Sequence, residues 1–169
     1  PFYPESVSWK FKKPAGLSVP ALTDTERDAL EDANVNFMTA EYKKEYVKNG
    51  VCTDGEYIDV QLGCDYIVRR MRSALYDVFL ANAKVPYTDS GFALVASAVF
   101  AALNEATALH IIESDPASGA GVFTVTVPRR SDATPEQAAS RSMPPIEWTA
   151  KVEGAVHSVR VTGKLYTTL

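Results

Sequence analysis

Two long stretches of helical apolar spacing, separated by one short loop, constrain the fold of this chain most. Residues 60–82 place Ile67, Met71, Leu75, Val78 and Phe79 three and four positions apart, the spacing of a single helix face. Arg69, Arg70 and Arg72 fall mostly off that stripe. Residues 89–112 place Phe92, Val95, Val99, Leu103, Ala106 and His110 on one side. The alanines around them let another element approach closely. Between the two, KVPYTDSG reads as a loop in which Thr88 or Asp89 caps the second helix. Two helices joined so tightly fold back as an antiparallel pair.

The flanking segments are shorter. Residues 1–22 hold Pro1, Pro4, Pro14 and Pro20, with VSWKF as a candidate edge strand. Thr23 and Glu26 in TDTE form a capping box that opens a helix running to about Asn34. NVNFMTAEYKK and EYVKNGVCTDGEYIDV read as strands, with Asn49-Gly50 and Asp54-Gly55 as turns. VFTVTV alternates strictly, as a half-buried strand does. Thr134 with Pro135 behind it starts a short helix. IEWTAKVEG and AVHSVRVTGKLYTT close the chain as a hairpin or two long strands. The expected class is α+β: a small mixed sheet flanked by two long antiparallel helices, with an extended C-terminal β-strand arm.

The 169 residues suffice for one well-buried core. A net charge of −4 argues against a general nucleic-acid binder. The most apolar run, GFALVASAVFAALNEATALHII, is broken by Asn104 and Glu105 and suits a buried helix better than a membrane span. No stretch reads as a signal peptide. The opening PFYPESVSWKFKKPAGL, which lacks an initiator methionine, reads as mid-protein loop and strand, so a fragment of a longer protein is expected. Cys52 and Cys64 have neither metal-ligand nor redox spacing and read as small reduced residues.

Signals of catalysis are few. The chain has no G-x-S-x-G, P-loop, G-x-G-x-x-G or H-E-x-x-H motif. Glu56 and Asp59 in GEYID have the spacing of a metal or acid–base pair. They read better as a solvated turn and the acidic first turn of a helix. His157 shares an alternating face with Val159 and Val161, opposite Val156, Ser158, Arg160 and Thr162, and reads as a packed structural histidine. His110, at the end of an apolar helix stripe, reads the same way. No catalytic, cofactor-binding or metal site is assigned, and no cofactor is expected. Arg129, Arg130 and Arg141 flank the short helix and form either a solvated turn or a small basic patch for an acidic partner. The terminal strand is either an ordinary member of its own sheet or a strand that joins another subunit's sheet.

Six pieces in order then carry a resemblance: SWKFKKPAGL, LTDTERDALEDANVNFM, GEYIDVQLGCDYIVRRM, KVPYTDSGFALV, FTVTVPR and SRSMPPIEWTAKVEGAVHSVRVTGKL. Together they resemble the C-terminal half of phage contractile tail sheath proteins, in particular the branch known as the DUF3383-type family. The resemblance implies a structural, non-enzymatic subunit. Such subunits form hexameric rings stacked helically around a tail tube. Triggered by a baseplate, they pass from an extended, metastable packing to a shorter, wider one and drive the tube through the host envelope. The implied place is the virion tail, assembled in the bacterial host cytoplasm, with the role of viral genome ejection. The implied partners are further copies of the subunit, the tail tube protein and the baseplate, without nucleic acid or membrane.

The resemblance also implies a division of the chain. Residues 1–22 are an N-terminal linker or edge strand, 23–155 a core domain and 156–169 an arm that pairs with neighbouring subunits. The inter-subunit strand is then Val156, His157, Ser158, Val159, Arg160, Val161, Thr162, Gly163, Lys164 and Leu165, with Gly154 and Gly163 as flex points. Arg129, Arg130 and Arg141 resemble the tube-facing segment. Two other readings stand beside this one: a monomeric module docking an acidic partner through its basic turn, and an enzyme using Glu56 and Asp59 with a metal.

Overall fold

The helix pair around which the molecule is built runs from Ile58–Ala81 (α2) and back through Asp89–Ala108 (α3) in a computed structural model that describes residues 4–163. Before it come a short helix, Asp24–Asp32 (α1), and the strands Met38–Glu41 (β1) and Lys44–Val47 (β2). After it come Phe123–Thr126 (β3), Pro135–Ala139 (α4) and Glu147–Ala150 (β4). Single 3-10 turns cover Pro4–Ser6 and Arg130–Asp132.

The α2–α3 seam is the core. Tyr66, Ile67, Met71, Val99, Ala102, Leu103 and Ala106 bury there together with Ile111 and Ile112, and Leu103 and Ile112 are fully enclosed. Small residues set the spacing. A Cβ added at Gly63 would stand 2.7 Å from Cγ2 of Ile111, so the glycine lets the chain beyond α3 lie against α2. By length and composition alone α3 could cross a membrane. Here the same apolar residues make the buried face of a core helix, a use that composition does not separate from the other.

The caps follow the sequence. Thr23 and Glu26 form the capping box on α1, Thr88 Oγ1 accepts from Gly91 N at 3.3 Å, and Thr134 caps α4 with Pro135 behind it. The ends of the helices differ more. α3 stops at Ala108, short of the expected 112, because His110 turns left-handed at φ 58. His110 N then donates to Thr107 O, and Ile111 N donates to Ala106 O. This is a Schellman ending with histidine where glycine is usual. α1 ends the same way on Asn34, and α4 on Arg141.

The strands form no single mixed sheet. They form two antiparallel pairs, β1 with β2 and β3 with β4. The β3–β4 pair lays Phe123, Val125, Trp148 and Ala150 on the helix core. The first pair turns at Tyr42-Lys43, where the two expected strand segments meet. VSWKF is not a strand; Phe11 and Lys12 bond to β2 through the backbone, Phe11 N to Val47 O at 3.1 Å and Val47 N to Lys12 O at 2.9 Å. The expected terminal strand is also absent among the described residues. After the bridge of Ile112 to Val152, residues 153–163 run without regular structure.

Candidate assembly surfaces

The first surface is a basic corner. The α2–α3 loop meets the segment from β3 to α4, and Tyr87 is the fastener. Its hydroxyl donates to Ser142 O at 2.8 Å, and its ring packs edge-on against Phe92 of α3. The Arg130 guanidinium lies over that ring, 4.6 Å from its centroid, a contact to which a planar cation is well suited. Asp89, in the first turn of α3, accepts from Arg130 N at 2.5 Å, and Asp132 accepts from Arg129 N at 2.7 Å. Carboxylates thus fix the backbone of this turn while leaving the arginine side chains outward.

Arg130, Arg141 and Lys84 line one open concavity of about 470 Å³, together with Val85, Tyr87 and Ala138. Among the described residues none of these three cations has a carboxylate within ion-pair distance. Of the arginines read from the sequence, Arg130 and Arg141 come together, and Arg129 stands exposed beside them, outside the concavity. Lys84 and Tyr87 were not legible as partners, because their contribution depends on how the helix pair docks the later segment. Arg141 holds φ 55 at the end of α4, a conformation that glycine or asparagine adopts with less strain.

The second surface is the chain beyond the body. Its root is well tied. Glu153 N donates to Ile111 O at 2.9 Å, Lys151 pairs with Glu113 at 2.7 Å, and His110 Nδ1 lies 3.3 Å from the Glu153 carboxylate. One further tie follows: His157 Nε2 lies 2.9 Å from Ser8 Oγ, and its ring meets Tyr57 edge-on at 4.7 Å. His157 is therefore half-buried against the N-terminal segment and α2's leading residue, not on a shared apolar face with Val159 and Val161. Val156, Val159 and Val161 are 83%, 84% and 86% exposed. Ser158, Arg160, Thr162 and Gly163 are exposed as well. Lys164 and Leu165 lie outside the described residues.

Glu56 and Asp59 do not build a shared site. Glu56 Oε1 accepts from Tyr57 N at 3.0 Å, whereas Asp59 turns into a small cavity with Glu5, His110 and Glu153. Among the described residues no three His, Cys, Asp or Glu side chains are placed to hold a common metal ion. Cys52 and Cys64 are free thiols.

No protein-family profile matches the chain, and no curated protein does. Solved structures do. One chain of the anti-feeding prophage baseplate, determined by cryo-electron microscopy with six-fold symmetry, superposes with a TM-score of 0.72 at 15% identity, over 96% of this chain and 46% of that one. A chain of the same prophage's helical sheath in its contracted state superposes with a TM-score of 0.71 at 14% identity, over 95% of this chain and 45% of that one. The chain thus spans less than half the length of these neighbours and shares with that part of them its α+β fold.

Proposed function

We propose that this chain is the C-terminal half of a structural subunit of a contractile, tail-like machine, and within that class a tail sheath subunit. The observation that carries the reading is the superposition of nearly the whole chain on one that packs in a contracted helical sheath. The ordered sequence pieces support the finer assignment to phage tail sheaths of the DUF3383-type branch, with a place in the virion tail and a role in genome ejection. The subunit works without catalysis: energy is held as a free-energy difference between two packings of the same copies.

Each surface has a part in this reading. Residues 156–169 are the arm, and the exposed valines at 156, 159 and 161 are what a strand without a partner in its own fold presents. A neighbour's sheet edge completes it by β-augmentation. Backbone hydrogen bonds of that kind persist while Gly154 and Gly163 hinge. The basic corner of Lys84, Arg130 and Arg141 meets an acidic surface of the tail tube. A charge contact there sets register and releases when the packing changes. The copies assemble in the host cytoplasm as hexameric rings around the tube, on a baseplate.

Two variants of the complete gene product separate the parts. Ending the chain after Gly154 removes the arm and abolishes sedimentation as polymer. R130E/R141E leaves polymerisation intact and weakens pelleting with tail tube. A second reading, a monomeric module that docks an acidic partner at the same corner, also rests on the convergence of Lys84, Arg130 and Arg141. It predicts tube-independent docking and no polymer, so the sedimentation result decides between them.

A further inference from the structure

A second concentration of positive charge lies at the other end of the chain and has no part in the reading above. Six of the nine lysines, Lys10, Lys12, Lys13, Lys43, Lys44 and Lys48, fall in two short segments. The fold joins these segments: Phe11 and Lys12 bond to Val47 of β2, and Lys13 pairs with Glu45 at 2.6 Å. Lys48 pairs with Glu41 and Glu31. Lys10, Lys12, Lys43 and Lys44 have no carboxylate within ion-pair distance among the described residues. A chain of net charge −4 thus carries a cationic tip.

The tip is also aromatic and strained. Tyr42 and Lys43 form the two-residue turn between β1 and β2 at φ 52 and 64, and Tyr42 is 96% exposed. Such a turn favours asparagine and glycine, which adopt left-handed backbone readily. Phe11 is left-handed too, at φ 65, and half-exposed. Its ring packs on Tyr46 at 5.2 Å with the Lys10 ammonium 5.3 Å away. Phe11, Tyr42, Lys44 and Tyr46 line a concavity of about 550 Å³ with Glu41 and Glu45. Left-handed backbone kept at an aromatic residue as exposed as Tyr42 makes this turn a candidate functional position.

We propose that this tip is a docking surface for an acidic protein segment, with Tyr42 as the anchor and the lysines as the steering rim. A free aromatic ringed by charge is the anatomy of a protein–protein contact. Nucleic acid fits less well. The Phe11 ring is already covered by Tyr46, so no run of open rings offers a stacking platform.

The test is fluorescence anisotropy on the chain with a labelled peptide of alternating glutamate and leucine. Oligothymidylate of equal charge and phosphatidylglycerol vesicles serve as comparisons. K43E/K44E is expected to weaken peptide binding at least about tenfold. Y42N/K43G is expected to do the same while raising Tm by about 2–4 °C, since it relieves the turn; this variant keeps the test sound if charge reversal impairs folding. R130E/R141E is expected to leave peptide binding unchanged. The proposal is overturned if the peptide does not bind or binds both tip variants as it binds the wild type. Tighter binding of oligothymidylate or vesicles, or loss of peptide binding in R130E/R141E, also overturns it. None of these outcomes bears on polymer formation through the arm.

Discussion

At the scale of residues, a few positions leave no choice of side chain. A Cβ at Gly91 would stand 1.8 Å from Pro86 O, because the loop folds directly onto the first turn of α3. Gly91→Ala is expected to destabilise the fold by at least about 2 kcal/mol, lowering Tm by about 4–8 °C in a thermal melt. Glu105 is different: its carboxylate accepts from Tyr66 Oη and from Arg70 Nε, both at 2.6 Å, and so ties α3 to α2. The Tyr66 hydroxyl first, and Arg70 after it, hold this carboxyl below its ordinary value of 4.5. A pKa lowered by folding stabilises the folded state fully above about pH 5. That stabilisation is lost as pH falls through the lowered pKa. Glu105→Gln should therefore cost about 1 kcal/mol at neutral pH, given the partial exposure of the pair. The Tm difference from wild type should shrink as melts are taken further into acid. The capping residues Thr23, Thr88 and Thr134 were legible because side-chain capping is local chemistry. The left-handed endings at His110 and Arg141 were not, because neither residue type announces that backbone. The packing of Ile111 and Ile112 into the core imposes it at His110.

At the scale of elements, the helix pair was readable from apolar spacing, and its start at Asp89 falls where it was expected. Leu103→Ala, at the fully buried centre of the seam, should cost about 2–5 kcal/mol in chemical denaturation. The strands were legible as β-forming sequence but not in their pairing, since register and partner are set by distant segments. The terminal stretch shows the limit most clearly. Its Val-rich alternation predicts a strand, yet residues 153–163 form none and three valines stand in solvent. Strand propensity is met only where a second edge exists. Removing residues 155–169 should accordingly change the stability of the body little, by about 1 kcal/mol or less. The contacts of His157 with Ser8 and Tyr57 are the main ones lost from the described part. A larger drop in Tm would mean that the segment belongs to the body rather than to a neighbour.

At the scale of the whole molecule, the basic corner was half legible: Arg129, Arg130 and Arg141 were visible as charge, whereas Lys84 and Tyr87 joined them only through the fold. What the chain builds is a helical body with a root tied by Glu113, Lys151 and Glu153 and a polar, valine-bearing segment beyond it. In the proposed function, that organisation keeps copies linked while their bodies move. The most direct measurement is negative-stain electron microscopy of the complete gene product beside a copy ending at Gly154. Hollow striated tubes from the first and dispersed particles from the second are the predicted result. Dispersed particles from both, or tubes from both, would contradict assembly through the terminal segment.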